Sequence, residues 1–155
     1  MFNSLKTLLY LSVSVAVTLA LPAYAENAPQ KAVVSTPAAP AAIGPYSQAI
    51  RHGNMLFVSG QIPIDIATNT IPGGSNIEQQ TQLVIEHIKA VLAANGMLLK
   101  DVVSTQVFMK DLNEFSRMNQ VYATYFDAAP PARATVEVAR LPRDVKVEIS
   151  AVALK

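Results

Sequence analysis

A helix with one broad apolar stripe constrains the fold of this chain more than any other feature. The segment GGSNIEQQTQLVIEHIKAVLAANG begins with Ser75-x-x-Glu78, a pattern typical of a capping box, and ends at Gly96, a helix stop signal. Between these signals, six aliphatic side chains and one threonine recur at helical spacing: Ile77, Thr81, Val84, Ile85, Ile88, Val91 and Leu92. Such a stripe must be covered, so the sequence predicts an amphipathic helix packed on a sheet. His87 lies off the stripe, and we expect a solvated side chain there, because no second His or Cys stands at ligand spacing.

Strand-like runs before and after this helix supply the predicted sheet. Before it, YSQAI and MLFVSGQI flank RHGN, whose Gly53-Asn54 pair predicts a hairpin turn. After it, VVSTQVFMK alternates with the period of a strand, and its predicted core face is Val103, Thr105, Val107 and Met109. A second helix is predicted in DLNEFSRMNQVYATYF, with one apolar face formed by Phe115, Met118, Val121, Tyr122, Tyr125 and Phe126. This succession of strands and helices predicts an α+β domain.

The last two predicted strands, RATVEV and VKVEISAVA, each carry a charge among β-branched residues. With their valine faces toward the helices, and with Val136 paired to Val145 in a hairpin, Arg133 stands directly opposite Glu148 on the other face. One interpretation is an ordinary cross-strand ion pair, worth only about 0.2–1 kcal/mol where exposed. The other is the border of a subunit interface, because the same face carries Val102, Phe108, Val152 and Leu154. A guanidinium sheltered there is suited to bind a small carboxylate through two parallel hydrogen bonds.

The first 42 residues differ in composition from the rest of the chain. Residues 1–25 combine a basic residue, Lys6, with an uncharged run from Leu8 to Leu21 and the small-x-small triplet Ala23-Tyr24-Ala25, which predicts a secretory signal cut after Ala25. The uncharged run is shorter than the roughly 20 residues that a spanning helix needs, so we expect no stable membrane anchor after cleavage. Residues 26–42 are rich in Ala and Pro and are predicted to be a flexible tether, followed by one domain at 43–155. These features predict a periplasmic or secreted protein.

Cysteine content and charge exclude several function classes. The chain has no cysteine, which excludes a disulfide framework, a thiol nucleophile and a cysteine zinc site. Removing Lys6 with the signal leaves 11 of the 12 basic residues against 11 acidic ones, so the formal net charge of the mature chain is zero. Nucleic acid is therefore not expected as a partner.

Five segments together carry a resemblance to a known family. They are IGPYSQAI, VSGQIP, VFMKDLNEF, PPARATVEVARLP and VKVEISAVA, and they occur in the family's order and at its spacing. Over residues 43–155 the chain resembles the RidA (YjgF) family of enamine/imine deaminases. The resemblance implies a chorismate-mutase-like mixed sheet with two helices on one face. It also implies a homotrimer whose sheets face inward, with clefts between neighbouring subunits.

The resemblance also implies a set of site residues. Arg133, in the P-A-R motif, corresponds to the arginine that holds the substrate carboxylate, and Glu148 corresponds to the glutamate that positions or activates water. The residues implied to line the same cleft are Tyr46, Ser59, Asn119 and Thr135. Many members carry cysteine where this chain has Thr135, so a role through sulfur is absent, whereas a backbone contact is retained.

The implied reaction is hydrolysis of 2-imino or 2-enamino acids, such as 2-aminoacrylate or 2-iminopropanoate, to 2-oxo acids and ammonia. It requires a carboxylate binder, a water and a proton for the leaving ammonia, but no metal or cofactor. An alternative is a non-catalytic trimer that binds small carboxylates or acts as a chaperone-like module, in which Arg133 is required and Glu148 is dispensable. Ribonuclease activity, attributed to some relatives, is disfavoured by export and by the zero mature charge.

Overall fold

The structure, a computed structural model, describes residues 30–155. The predicted signal peptide at 1–25 lies outside these residues. The described elements, in chain order, are β1 (Lys31–Val34), β2 (Ala49–His52), β3 (Met55–Gln61), α1 (Ile77–Ala94), β4 (Val102–Met109), α2 (Phe115–Tyr125), β5 (Ala132–Glu137) and β6 (Val147–Leu154). Within residues 30–155, no helix combines the length and the apolar character needed to cross a bilayer.

All six strands form one mixed sheet in the order β1-β2-β3-β6-β4-β5. Only β4 and β5 pair in parallel, and the other neighbours pair antiparallel. The parallel pair is joined through α2, as a parallel connection requires a crossover. The α+β domain that the sequence pattern predicts is confirmed, and so is the mixed sheet with two helices that the family resemblance implies.

The predicted hairpin between the last two strands is wrong, because β4 lies between β5 and β6. The crossover through α2 leaves β5 at the outer edge of the sheet, and β6 inserts between β3 and β4. Arg133 is therefore aligned with Thr105, and Glu148 with Phe108. Alternation along a strand predicts which side chains share a face, but it does not select the partner strand.

The stripe on α1 is buried throughout, as predicted, and forms the centre of the core. It packs against the inner face of the sheet, where Leu56, Val107 and Ile149 are buried. Each fully buried aliphatic side chain of this size contributes about 1.5–3 kcal/mol. From α2, Met118 and Tyr122 enter the same core. This packing fixes one face of the sheet against the helices, whereas within residues 30–155 the other face is covered only in part, by a second small apolar cluster that includes Ile62 and Leu141.

The ends of α1 agree with the sequence pattern at one terminus and differ at the other. Gly96 has a φ of +67°, the left-handed conformation that terminates helices. The N-cap, however, is Asn76, whose side chain accepts a hydrogen bond from the Gln79 backbone N–H at 2.9 Å, while the Gln79 side-chain oxygen accepts one from the Asn76 backbone N–H at 3.0 Å. The capping box thus starts one residue later than predicted, because asparagine and glutamine offer the same acceptors as the Ser-Glu pair.

An irregularity in β4 changes the predicted core face. Thr105, Val107 and Met109 are buried as expected, but Val102 is buried and Val103 is 46% exposed. The pairing with β6 shifts register between Val102 and Ser104. An extra residue in one strand reverses the inward and outward positions on one side of it, so strict alternation misplaces Val103.

The Ala/Pro-rich segment is ordered from residue 31 onward, so a flexible tether is wrong for residues 31–42. β1 pairs antiparallel with β2. Beyond β1, the Gln48 amide accepts a hydrogen bond from Thr36 N at 2.6 Å and donates to the carbonyls of Thr36, Ala39 and Pro40 at 3.0, 3.1 and 2.7 Å. This segment is held by backbone pairing and by the side chain of Gln48. Neither interaction requires an amphipathic pattern, so the sequence of the segment gives no sign of them.

His87 is the clearest error among the helix predictions. Its side chain is 2% exposed, and neither ring nitrogen has a hydrogen-bond partner. The Ile62 backbone beside the ring belongs to the segment that leaves β3, which covers a flank of α1 outside the predicted stripe. Burial lowers the pKa of His87, so the ring is neutral at ordinary pH.

Candidate functional site

A cleft of about 340 Å³ lies on the sheet face opposite the helices. Its acidic residue, Glu148, points away from the core because its neighbours on β6, Val147 and Ile149, are buried on the inner face. The residues that line the cleft come from three separate segments of the chain: Ile43, Tyr46, Ser59, Gly60, Ile62, Pro142 and Glu148. The lining thus combines apolar walls with one carboxylate.

Gly60 makes room for this carboxylate. A Cβ at position 60 would lie 2.8 Å from Glu148 Cδ and would overlap Oε1. The pairing of β3 with β6 shifts register between Val58 and Gln61, the stretch that contains Gly60. The Glu148 side chain therefore lies directly against the β3 backbone.

Burial raises the pKa of the Glu148 carboxyl above its ordinary value. The predicted neighbour, Arg133, does not oppose this shift within the same chain, because it lies on the other face of the sheet. A half-buried carboxyl whose pKa is raised can both accept a proton from water and return one. The cleft therefore presents a group suited to proton transfer.

Two predicted lining residues, Tyr46 and Ser59, lie beside Glu148 in the same cleft. Ser59 Oγ donates to the Ser47 carbonyl at 2.7 Å, and Ser59 N donates to the Gln48 carbonyl at 3.0 Å, which fixes β3 to the preceding loop. The Tyr46 hydroxyl accepts a hydrogen bond from Ile43 N at 3.2 Å, while its ring is 48% exposed. We call Tyr46, Ser59 and Glu148 the glutamate half-site.

The wall at Pro142 comes from a strained loop. Arg143 and Asp144 both have positive φ values, +55° and +56°, which are unfavourable for residues with a Cβ. Arg140 Nε binds Asp144 Oδ1 at 2.8 Å, and Arg143 Nη1 donates to the Asn69 carbonyl at 2.9 Å. These contacts hold the loop in the conformation that brings Pro142 to the cleft.

Arg133 lies on the helix face of the sheet, at the outer edge strand. Its Nη2 donates to Asn119 Oδ1 at 2.8 Å, and its guanidinium carbon lies 4.5 Å from the centroid of the Tyr122 ring and 5.7 Å from that of Phe115. Thr135 follows on the same face of β5, and its hydroxyl is buried without a hydrogen-bond partner. We call Asn119, Arg133 and Thr135 the arginine half-site.

The six predicted site residues thus divide into two groups of three. The adjacency of Arg133 and Glu148 is wrong within one chain, because their strands are separated by β4 and their side chains leave opposite faces of the sheet. The physical reason is the parallel pairing of β5 with β4, which aligns Arg133 with the inward-facing Thr105. Each half-site is intact, and the two do not meet in a single chain.

The sequence pattern predicts a core position for Phe115 and Tyr122 and does not connect them with Arg133. Together with Asn119 they occupy positions i, i+4 and i+7 of α2, which share one face of a helix. That spacing was a usable signal, because two aromatic rings and an amide on one face can hold a guanidinium. Ile43, Ile62 and Pro142 of the cleft were also missed, since nothing in their local sequence distinguishes them.

Two further observations concern ligands. Among residues 30–155, no group of three or more His, Asp or Glu side chains is arranged to hold a metal ion. A larger cavity of about 710 Å³ adjoins the cleft through Ile43 and Tyr46, and it is lined mainly by residues 33–48 without a charged side chain. We take the smaller cleft as the candidate site, because Glu148 lines it.

Comparison with known proteins gives consistent matches. The family model described as Endoribonuclease L-PSP matches residues 36–155. A RutC family protein of Saccharolobus solfataricus is 55% identical over 125 residues, which cover 81% of this chain and 98% of the relative. "Putative reactive intermediate deaminase TdcF" of Escherichia coli is 44% identical over 128 residues, covering 81% and 98%.

Solved structures agree with these matches. E. coli TdcF with bound serine superposes with a TM-score of 0.77 at 43% identity, covering 80% of this chain and 98% of that one. The YjgF gene product of E. coli gives a TM-score of 0.76 at 44% identity, with the same coverage. The fold described above is therefore shared with both proteins.

Proposed function

The chain belongs to the RidA (YjgF) family, and from that premise we propose that it deaminates reactive 2-imino and 2-enamino acids, releasing 2-oxo acids and ammonia. The observation that carries the proposal is Glu148, a half-buried carboxyl with a raised pKa in a small, largely apolar cleft. The name of the E. coli relative TdcF supports the same reaction class.

The division into two half-sites supports a site shared between subunits. We assign the complete site to a homotrimer in which the arginine half-site of one subunit faces the glutamate half-site of its neighbour. The sheet face that bears Glu148 also exposes Phe57, Val136 and Leu154, which a neighbouring sheet would cover. A symmetric assembly of this kind repeats the same pair of half-sites at every interface.

In such a site the two half-sites divide the chemistry. Arg133 holds the substrate carboxylate through two parallel charge-assisted hydrogen bonds and so fixes the imine carbon. Glu148 takes a proton from water as the water oxygen bonds to that carbon, and passes the proton to nitrogen to give a carbinolamine. It then moves the hydroxyl proton to nitrogen as the C–N bond breaks, so that the carbonyl of the 2-oxo acid forms and ammonia leaves. A 2-enamino acid first gains a proton at its β-carbon to become the imine. No step consumes an oxidant or a cofactor.

The proposed location is outside the cytoplasm, most simply the periplasm. It rests on the leader pattern at residues 1–25, followed by a domain whose first strand begins at Lys31. N-terminal sequencing of the protein recovered from a periplasmic extract tests this proposal. Mature chains that begin at Glu26 support it, whereas chains that retain Met1 in the cytoplasmic fraction contradict it.

The decay of 2-imino acids, generated in situ by an amino-acid oxidase, tests the activity. We expect the mature protein to accelerate decay, and the variants Arg133→Ala and Glu148→Gln to return it to background. Arg51→Ala serves as the matched control, because Arg51 is an exposed arginine on β2 outside both half-sites. Background decay with wild-type protein across several amino acids would exclude the deaminase function.

A second candidate is a non-catalytic carboxylate-binding module, and the solved TdcF structure with bound serine favours it. In that case wild type binds small carboxylates without accelerating imine decay, Arg133→Ala loses binding and Glu148→Gln retains it. The family description Endoribonuclease L-PSP suggests that RNA should be tested as a further substrate. The cleft around Glu148 has no Lys or Arg in its lining, which argues against a phosphate backbone there.

A further inference from the structure

One face of α2 surrounds the Arg133 guanidinium with three side chains, Phe115, Asn119 and Tyr122, which we call the arginine cradle. We propose that the arginine cradle holds Arg133 in the geometry that a substrate carboxylate requires, so that Tyr122 and Phe115 are positioning residues of the site. The inference rests on the carboxylate-binding role proposed for Arg133. It adds two aromatic residues that act through the arginine without contacting the substrate.

Tyr122 is itself fixed from two sides. Its hydroxyl and Thr105 Oγ1 form a buried hydrogen bond of 2.7 Å, and its ring packs against Phe126 with the centroids 4.6 Å apart and the planes tilted by 31°. Thr105 is aligned with Arg133 in the parallel pairing of β4 and β5. The ring that lies under the guanidinium is therefore attached to the strand beside it, and its position is set by the sheet.

The contacts leave most of the guanidinium available. A guanidinium carries five N–H donors, and among residues 30–155 the one hydrogen bond it makes here runs from Nη2 to Asn119 Oδ1. Tyr122 covers one planar face at a distance where the cation and the ring attract each other. A long arginine side chain normally loses considerable rotamer freedom when it binds a ligand. Here that freedom is restricted before the ligand arrives.

A purely structural role for the two rings makes a different prediction. Tyr122 is buried, and its loss would lower stability whether or not it positions Arg133. Phe115 separates the two roles, because its side chain is 36% exposed and contributes little to the core. A defect in carboxylate binding caused by a change at Phe115 would therefore reflect its contact with the guanidinium.

The test uses Phe115→Leu, Tyr122→Leu and the conservative Tyr122→Phe in the mature protein. Calorimetry with 2-oxobutanoate gives the Kd for a carboxylate, and imine decay gives KM and kcat. We expect Kd and KM to rise roughly 3- to 10-fold in both leucine variants, because the Arg133 side chain would then have to be ordered when the ligand binds. We expect kcat to change less than twofold, and Tyr122→Phe, which keeps the ring, to recover most of the loss. Exchange of the Arg133 Nε proton, followed by NMR, should accelerate in the leucine variants.

A second set of variants in an Arg133→Lys background completes the test. If the rings act through the planar guanidinium, removing a ring should cause no further loss of affinity for 2-oxobutanoate in a chain whose Arg133 is already replaced by lysine. Equal weakening in both backgrounds, or an unchanged Kd and Arg133 Nε exchange in the leucine variants, overturns the inference. If Tyr122→Leu does not fold, Phe115→Leu decides. If wild type binds 2-oxobutanoate but does not accelerate imine decay, the deaminase proposal is contradicted and this inference is not. If wild type does not bind 2-oxobutanoate, both are contradicted.

Discussion

Gly60 occupies a position where any side chain would compete with the Glu148 carboxylate. We expect Gly60→Ala to displace Glu148 and to lower kcat/KM for imine hydrolysis at least 10-fold, because small displacements of a catalytic group have large effects on rate. Imine decay kinetics measure the effect. Gly73→Ala is the matched control, since a Cβ there meets nothing within 4 Å. Full activity of Gly60→Ala would argue against a role for Glu148 in its observed position.

His87 predicts a dependence of stability on pH at a residue outside the site. Its pKa is lowered by burial, so the unfolded chain binds a proton at a higher pH than the folded chain does. Stability is then lost as the pH falls below the ordinary histidine pKa of about 6.5. We expect the free energy of unfolding in urea to fall between pH 7 and pH 5, and to fall less in His87→Gln. The exposed His52, changed in the same way, should leave the wild-type slope unaltered; identical slopes in all three proteins would contradict this account.

At the scale of elements, the segment between β1 and β2 depends on one glutamine. Gln48→Ala removes four hydrogen bonds to the backbone of Thr36, Ala39 and Pro40. We expect a loss of about 2–4 kcal/mol in the free energy of unfolding, because buried backbone groups would be left unpaired. Limited proteolysis should then cut within residues 31–42 faster than in wild type. Gln82→Ala, on the exposed side of α1, is the control, and equal cleavage in the two variants would show that Gln48 does not order the segment.

The same elements show how far sequence reasoning reaches. The α1 stripe and the first hairpin were predictable, because each is recorded in local periodicity or in turn residues such as Gly53. The partner of β5 was not, because the choice between β4 and β6 depends on the crossover through α2 and on the sheet order. Residues 31–34 and His87 were predicted wrongly for a related reason, because each depends on backbone that is distant in sequence. Residues 31–34 pair with β2, and His87 is covered by the segment that contains Ile62. The family resemblance supplied the candidate site residues, while local pattern placed Arg133 on the wrong face.

At the scale of the whole molecule, the division into two half-sites predicts complementation between inactive chains. We expect co-refolded Arg133→Ala and Glu148→Gln chains to regain on the order of a quarter of wild-type activity, because random mixing in a trimer restores about that share of interfaces. Each variant refolded alone should stay inactive. Light scattering on the same samples should give the trimer mass. A mixture that remains inactive although trimeric would mean that both residues serve one site from the same chain.

Placing half of the site on each face of the sheet also has a consequence for the life of the chain before assembly. If the site is completed only in the proposed trimer, a chain that is still being synthesised or folded contains no complete site and cannot process the metabolites that it meets. Activity per chain would also fall on dilution, as trimers dissociate. In the proposed trimer, activity would thus belong to the assembled chains and would begin only where the chain concentration is high enough for assembly.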